Sequence, residues 1–282
     1  MFMNRTTFYV PLLSQVFRER LGLAIAPLVL LCAVLVGPVA LAAVDNVGLG
    51  NGSSGALTVN TPGWPINAYA RVMAAVPQGQ SFVDVDTSEE FSVGSLVMVF
   101  QATGLTAPIT SGSQAPINLA GGSVGRWEFA RVQSLTETRL TFTQPLTVAF
   151  GATGTQVIRV PEYTSVTVNA GGSIAAGPWD GAKGGVVAFL SRGPVVNAGA
   201  IHADGLGFRG GFAWNSEVGN GCSGLDEGLP GGTSKGEGLV PGRFGGDTYP
   251  IPDGTTGRGN IANAGGGGVC HNSGGGGGSN AG

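Results

Sequence analysis

Charge is scarce in this sequence. Only 11% of its 282 residues are charged, against roughly 25% in an ordinary soluble chain. The 14 basic and 17 acidic side chains form no block of one sign. With no basic stripe to neutralise phosphates, nucleic acid is excluded as a partner. Histidine is scarcer still: His202 and His271 stand far apart and lack the spacing of a zinc site. The glycine clusters GGSVG, GLGFRGG and GGGGVC lack the lysine of a phosphate-binding loop, so no nucleotide is expected. Heptads are missing, and no Gly-x-y period runs through the chain, which excludes collagen. What is abundant is glycine, 52 residues, with 28 of them after position 200. Apolar residues reach 42%, enough for one sizeable core.

The first segment reads as an export signal, 1–42. Arg5, Arg18 and Arg20 precede an uncharged run over 21–43, broken by Gly37-Pro38 and ending Ala40-Leu41-Ala42. Small residues before a cleavage point suit a signal peptidase, which predicts cutting after Ala42 or Ala43. The rival reading is a retained membrane anchor, since the run is long enough to span a bilayer. Cys32 follows Leu31, too large a residue for a lipoprotein site. The mature chain is therefore expected to be secreted or held at the outer cell surface. Two cysteines remain in it, Cys222 and Cys270; an even pair in an exported chain predicts a disulfide. Asn51-Gly-Ser53 fits a glycosylation sequon but reads as a turn.

The fold class expected is all-β. Over 44–161 short alternating runs recur at 56–59, 70–76, 81–85, 95–100, 127–132, 139–143 and 155–160, separated by polar turns. That pattern predicts an antiparallel β-sandwich or barrel. Beyond Glu162, VNAGGSIAAG at 168–177 recurs as VNAGAIHADG at 196–205. A repeat of this kind predicts short stacked β-coils, solenoid-like, over 162–214. Val166, Val168, Ile174, Val187, Phe189, Val195 and Ile201 are expected to point inward. Residues 215–282 form a Gly-rich extended tail, in which Asn-Ala/Ser-Gly begins at Asn263, Asn272 and Asn280. Two readings stay open for it: a flexible linker, or extended glycine strands packed closely enough to bond to one another. The third unit is cut at Gly282, which suggests that the natural sequence continues.

These residues carry a family likeness. INAYARVMAAVPQGQSFVDV, FSVGSLVMVFQATG, GRWEFARV, QVIRVPEYTSVTV and WDGAKGGVVAFLSRGPVVNAGAIHADGLGFRGG together resemble the large secreted Gly-rich proteins of myxobacteria and related bacteria. Some of those are labelled adventurous-gliding-motility proteins of the C type. The resemblance covers most of 55–282 and implies an adhesive surface or matrix protein. It supplies no functional residues.

Read for themselves, the candidate sites are few. Asp180, Asp204 and Glu217, beside His202 and Arg209, are the carboxylates a β-coil polysaccharide lyase or hydrolase would need, but Asp180 and Asp204 sit in Asp-Gly turns. No catalytic residue is assigned. Asp84, Asp86, Glu89 and Glu90 form the densest acidic cluster. It lacks the looped arrangement of a calcium site, so a solvated face is the main reading and calcium a minor one; the same holds for Asp226, Glu227 and Glu237. No other cofactor or metal is expected. Trp179, Phe208, Phe212 and Trp214 are candidate surface contacts, but capping of the coil stack is the main reading. The sequence thus points to an exported structural or adhesive protein, with surface polysaccharide or another matrix protein as partner and self-association open. A polysaccharide-binding or polysaccharide-degrading β-helical enzyme is the alternative.

Overall fold

The computed structural model describes residues 47–106, 108–212, 224–226, 233–241, 255–268 and 275–276. The chain divides into Met1–Ala43 and Val44–Gly282, and everything below concerns the second unit. The expected signal and its cleavage point, Cys222, Cys270, Trp214, Glu217, Glu227, His271, Asn272 and Asn280 lie outside the described residues. Among the described residues every regular element is a strand, and no helix is long and apolar enough to cross a membrane.

In chain order the strands are β1 (Ala56–Val59), β2 (Trp64–Pro65), β3 (Tyr69–Arg71), β4 (Phe82–Asp84), β5 (Leu96–Gln101), β6 (Trp127–Thr136), β7 (Arg139–Phe142), β8 (Thr155–Arg159), β9 (Glu162–Tyr163), β10 (Ser165–Val168), β11 (Ser173–Ala175), β12 (Leu190–Ser191), β13 (Val195–Asn197) and β14 (Ala200–His202). Strands β3 to β8 form one antiparallel sheet in the order β3-β8-β5-β6-β7-β4. The sheet curls until its edges meet: Val72 bridges Val85, with Asp86 N–H on Arg71 O at 3.0 Å and Met73 N–H on Asp84 O at 2.8 Å. Alternation explains the curl, because one face of every strand carries β-branched or aromatic residues. Val83, Val97, Val99, Val132, Leu140 and Phe142 meet inside, so the sheet closes around its own apolar face and leaves no bare edge.

The remaining strands pair only in parallel. Leu57, Val166 and Val195 stand in one row, and Trp64, Ile174 and Ile201 in another; Leu190 pairs with Glu162. The chain therefore makes one coil (β1, β2), leaves it to build the antiparallel barrel, and returns for a second coil (β9, β10, β11) and a third (β12, β13, β14). Strand β1, which its alternation groups with the antiparallel runs, belongs to the coil stack instead. The reason is register: β1 finds its bonds on β10, with Ala56 opposite Ser165 and Val59 opposite Val168.

The coil interior holds Val59, Ile66, Tyr163, Val166, Val168 and Ile174, with Val187, Phe189 and Ile201 packed partly buried against them. Val195, expected to point inward, is 47% exposed. It sits in the last coil, where β13 pairs on one side only, so no further coil covers it among the described residues. The sequence repeat aligns Val168 with Val196, yet the structure pairs Val168 with Asn197 and Ile174 with Ile201. The corner of the third coil is shorter, and the register slips across it.

Glycine serves two separate purposes here. Gly63 (φ 72°) and Gly171 (φ 82°) turn corresponding corners of the first and second coils in the left-handed region that glycine enters freely. Gly172 has an ordinary backbone, but a Cβ there would stand 2.6 Å from the Val59 carbonyl oxygen of the coil below. Its job is to let two backbones touch. Several described glycines of the Gly-rich segment serve the second purpose. Lys235 N–H bonds to Thr255 O, Gly236 N–H to Gly265 O, Gly267 N–H to Gly257 O and Gly259 N–H to Leu225 O. A Cβ on Gly211 would fall on the Ser234 carbonyl oxygen, and one on Gly267 on that of Thr233. Lys235 is wholly buried in this lattice; its ammonium donates to the carbonyls of Leu225 (2.8 Å), Gly257 (3.2 Å) and Gly259. The lattice docks on the barrel through Gly104 N–H and Leu105 N–H, both on Leu239 O.

Gly172→Ala is expected to destabilise the protein by about 1–3 kcal/mol through overpacking. Gly207→Ala, where a Cβ would meet nothing within 4 Å, should leave stability nearly unchanged. Paired urea unfolding curves check the contrast; equal midpoints would remove the close-approach explanation.

Candidate binding clefts at the junction of barrel and coils

The outer face of the barrel is built to hold the coil stack. Residues directly opposite in an antiparallel pair point to the same side, so Tyr69, Ile158, Met98 and Phe129 form one row across it, with the pair Leu96↔Arg131 beside its far end on the same side. From this side and its edge, three side chains grip the segment 177–188. The Gln156 amide donates to Gly184 O at 3.1 Å and accepts from Gly184 N–H at 2.7 Å. Asn67 repeats the exchange on Ala188, donating at 2.6 Å and accepting at 3.1 Å. The Tyr69 hydroxyl donates to Val186 O at 2.6 Å and accepts from Gly177 N–H at 3.1 Å. Each amide thus does what a neighbouring strand would do, and the segment's backbone groups are satisfied without a regular ladder. Burial raises the Tyr69 pKa above its ordinary value of 10.0, with the Gly177 bond opposing in part. Burial raises that of Tyr163 as well.

At the other end of the row Arg131 meets Glu162, the first residue of the second coil. Glu162 is 2% exposed. Its carboxylate accepts from Arg131 at 2.8 and 3.1 Å and from Asn51 N–H at 2.9 Å. Beside it opens a cleft of about 650 Å³ whose walls carry Ser53, Ser54, Ser92, Ser95, Arg159 and Tyr163. Such a surface offers hydroxyls and a guanidinium, suited to hydrogen-bonding a polar ligand and to little bond-breaking chemistry, because Glu162 is already saturated.

A second cleft of about 350 Å³ lies between barrel and coils and brings together residues far apart in sequence: Tyr69, Thr87, Glu89, Glu90, Asp180 and Lys183. Half of the acidic cluster faces this cleft and half is spoken for. Asp84 holds Arg139 at 2.6 and 3.1 Å, with Arg139 over the Phe82 ring at 4.0 Å. Asp86 pairs with Lys183 at 2.7 Å and accepts from Arg71 N–H and Thr87 N–H. Among the described residues no three His, Cys, Asp or Glu side chains are placed to hold a metal ion. Asp226 stands 3.9 Å from Lys235, and Glu237 is bound to Arg209.

Of the carboxylates considered for catalysis, Asp180 and Asp204 are among the described residues. Asp180 closes its own turn, accepting from Ala182 N–H at 2.8 Å and Lys183 N–H at 2.9 Å. The Asp204 side chain is 93% exposed, and its oxygen lies 3.7 Å from His202 Nδ1, beyond hydrogen-bond reach. Of the aromatics, Trp179 is only 6% exposed, which fits the capping reading and not a surface contact. It packs edge-on against Phe208, centroids 5.3 Å apart at 88°. Phe212 is exposed. Sequence reasoning missed Asn67, Gln156, Arg131 and Glu162; the one available sign was a Gln inside the otherwise apolar strand TQVIRV.

Tyr69→Phe should cost about 1 kcal/mol at neutral pH, by leaving two backbone groups unpaired. The tyrosine holds its proton in the folded state at pH values where the unfolded chain releases it. Its contribution is thus full below pH about 10 and lost as pH rises through the raised folded value. The variant's alkaline loss of stability, followed by denaturant titration, should be shallower than the wild type's, with Tyr163 supplying the remainder. Glu162→Gln should destabilise by about 3 kcal/mol or more, since it leaves Arg131 without its counter-charge in a largely buried pair. Adding Arg131→Met to it should recover part of the loss, as a double-mutant cycle of unfolding energies would reveal.

No family model and no curated protein matches the chain. Among solved structures it is similar to the tailspike protein gp49 from Pseudomonas phage LKA1 (10% identity, 45% of this chain and 27% of that one, TM-score 0.26). It is similar also to the Pseudomonas phage phi297 tailspike gp61 (10% identity, 52% and 23%, TM-score 0.26). A third is the gp54 tailspike of Acinetobacter baumannii bacteriophage AP22 in complex with A. baumannii capsular saccharide (10% identity, 52% and 27%, TM-score 0.27). The chain matches about a quarter of the length of each, and at these scores the likeness assigns neither a fold nor a role.

Proposed function

We propose that this protein is an exported surface or matrix component with a structural and adhesive role, holding a surface polysaccharide rather than transforming it. The observation that carries this reading is the glycine lattice docked on the barrel. Segments around 211, 224–226, 233–239 and 255–267 exchange backbone bonds at distances that leave no room for a side chain. A lattice of that kind presents no reactive group; what it gives the chain is rigidity. The hydroxyl-lined cleft and low charge suit hydrogen-bonding to a sugar surface. The acidic cleft of Glu89, Glu90 and Asp180 favours the second reading, a polysaccharide-degrading enzyme. Against it, Asp180 is tied into its own turn.

Incubation of the full chain with a panel of bacterial polysaccharides separates the two. Sedimentation with at least one polysaccharide and no new reducing ends is expected. Reducing ends that vanish in Glu89→Gln or Asp180→Asn would establish the enzyme, and sedimentation with none of the panel would end the adhesive reading.

A further inference from the structure

A third cleft, of about 170 Å³, forms where all three parts of the unit meet. The barrel contributes Arg71, Thr103 and Thr153, the coil stack Trp179 and Phe208, and the glycine lattice Glu237 and Gly238. It is smaller than the roughly 300–1,000 Å³ of sites that enclose drug-sized molecules, so it suits a single ring.

Its charges are unequally satisfied. Both oxygens of Glu237 are taken by Arg209, at 2.6 and 3.0 Å through the guanidinium and 2.8 Å through the backbone N–H. Asp86, which accepts from the Arg71 backbone, is held by Lys183. The Arg71 guanidinium has no ion pair or hydrogen bond among the described residues, and its side chain is exposed. Trp179 is buried, and its indole N–H has no hydrogen-bond partner. An exposed guanidinium without an acceptor, whose fork matches a carboxylate, and the Phe208 ring, which can cover the apolar face of a sugar, describe one kind of ligand.

We propose that this cleft binds one acidic sugar residue, a uronic acid unit of a polysaccharide, with its carboxylate on Arg71 and its ring against Phe208. The proposal rests on the polysaccharide reading above and names the chemical class of sugar that reading requires. Glu237 and Arg209 do not touch the ligand's charge in this arrangement; they hold the lattice wall in place. Neutral sugars lack the group that Arg71 recognises, and a bare inorganic anion lacks the ring that fills the aromatic side.

The test is titration of the full chain with sodium D-glucuronate, D-galacturonate and D-mannuronate, read by saturation-transfer NMR and tryptophan fluorescence. D-glucose and inorganic phosphate serve as the neutral and anionic controls. At least one uronate is expected to bind saturably, at least tenfold more tightly than glucose, with phosphate a poor competitor. Arg71→Gln should weaken uronate binding tenfold or more with an unchanged melting temperature, because the side chain supports nothing else; Phe208→Leu should weaken it without altering the preference for charge. Binding that survives Arg71→Gln, binding of glucose as tight as that of the uronates, or displacement by phosphate at equal concentration would overturn the proposal, as would no uronate binding at all. If uronates fail while a polysaccharide still sediments the protein, this cleft alone is refuted; if both fail, the adhesive reading falls with it.

Discussion

The carboxylate of Glu162 gathers three parts of the chain at one point. It belongs to the second coil, its strongest partner Arg131 lies on the outer face of the barrel, and its third bond comes from Asn51, which leads into the first coil. A charge this deeply buried is tolerated only when its hydrogen-bonding capacity is filled, so the three parts must arrive together or not at all. The clefts on either side exist because barrel and coils are held at this joint by specific polar contacts, with Gln156, Asn67 and Tyr69 completing the row. An apolar seam would have closed the space; a polar one leaves room beside each contact.

Glycine in this protein is a matter of distance as well as of backbone conformation. Only some of its glycines have a positive φ, whereas Gly172, Gly199, Gly211, Gly238 and Gly267 have ordinary backbones and would each drive a Cβ into a neighbouring chain. Glycine loses more freedom on folding than any other residue, and that cost is offset here by backbone hydrogen bonds between segments that no other residue would let approach. Side-chain burial adds little, since Ile261 and Ala264 are among the few buried apolar groups in the segment.

The strands were legible because alternation is a local property: each of the seven runs marked between 56 and 160 overlaps a strand, though the run at 70–76 shares only two residues with β3. Partnership was less so. Nothing within ALTV distinguishes a strand that will bond in parallel to residues a hundred positions later from one that joins the next hairpin, and β1 went to the coils. The repeat at 168 and 196 announced the coils but hid their slip, because identical VNAG letters stand in corners of unequal length. The letters around Trp179 left a surface contact and a cap of the coil stack both open, and its packing on Phe208, brought round by the third coil, decides for the cap. Glu162 and Arg131 carry no sign in the sequence that they belong together.

The excursion from first coil to second has a consequence for how the unit assembles. Val59 and Ser165 lie in paired strands separated by roughly a hundred residues, a loop whose closure opposes folding by an amount that grows with its length. Tyr69 and Ile158 are paired across β3 and β8, so a closed barrel brings its own two ends side by side and reduces the effective loop to about twenty residues. That shortening is worth about 1.5 kcal/mol to the coil pairing. The barrel is thus a clasp whose fastening precedes, in free energy if not in chain order, the stacking of the coils. Whatever loosens it is felt in β1 and β10, even when none of their own residues has changed.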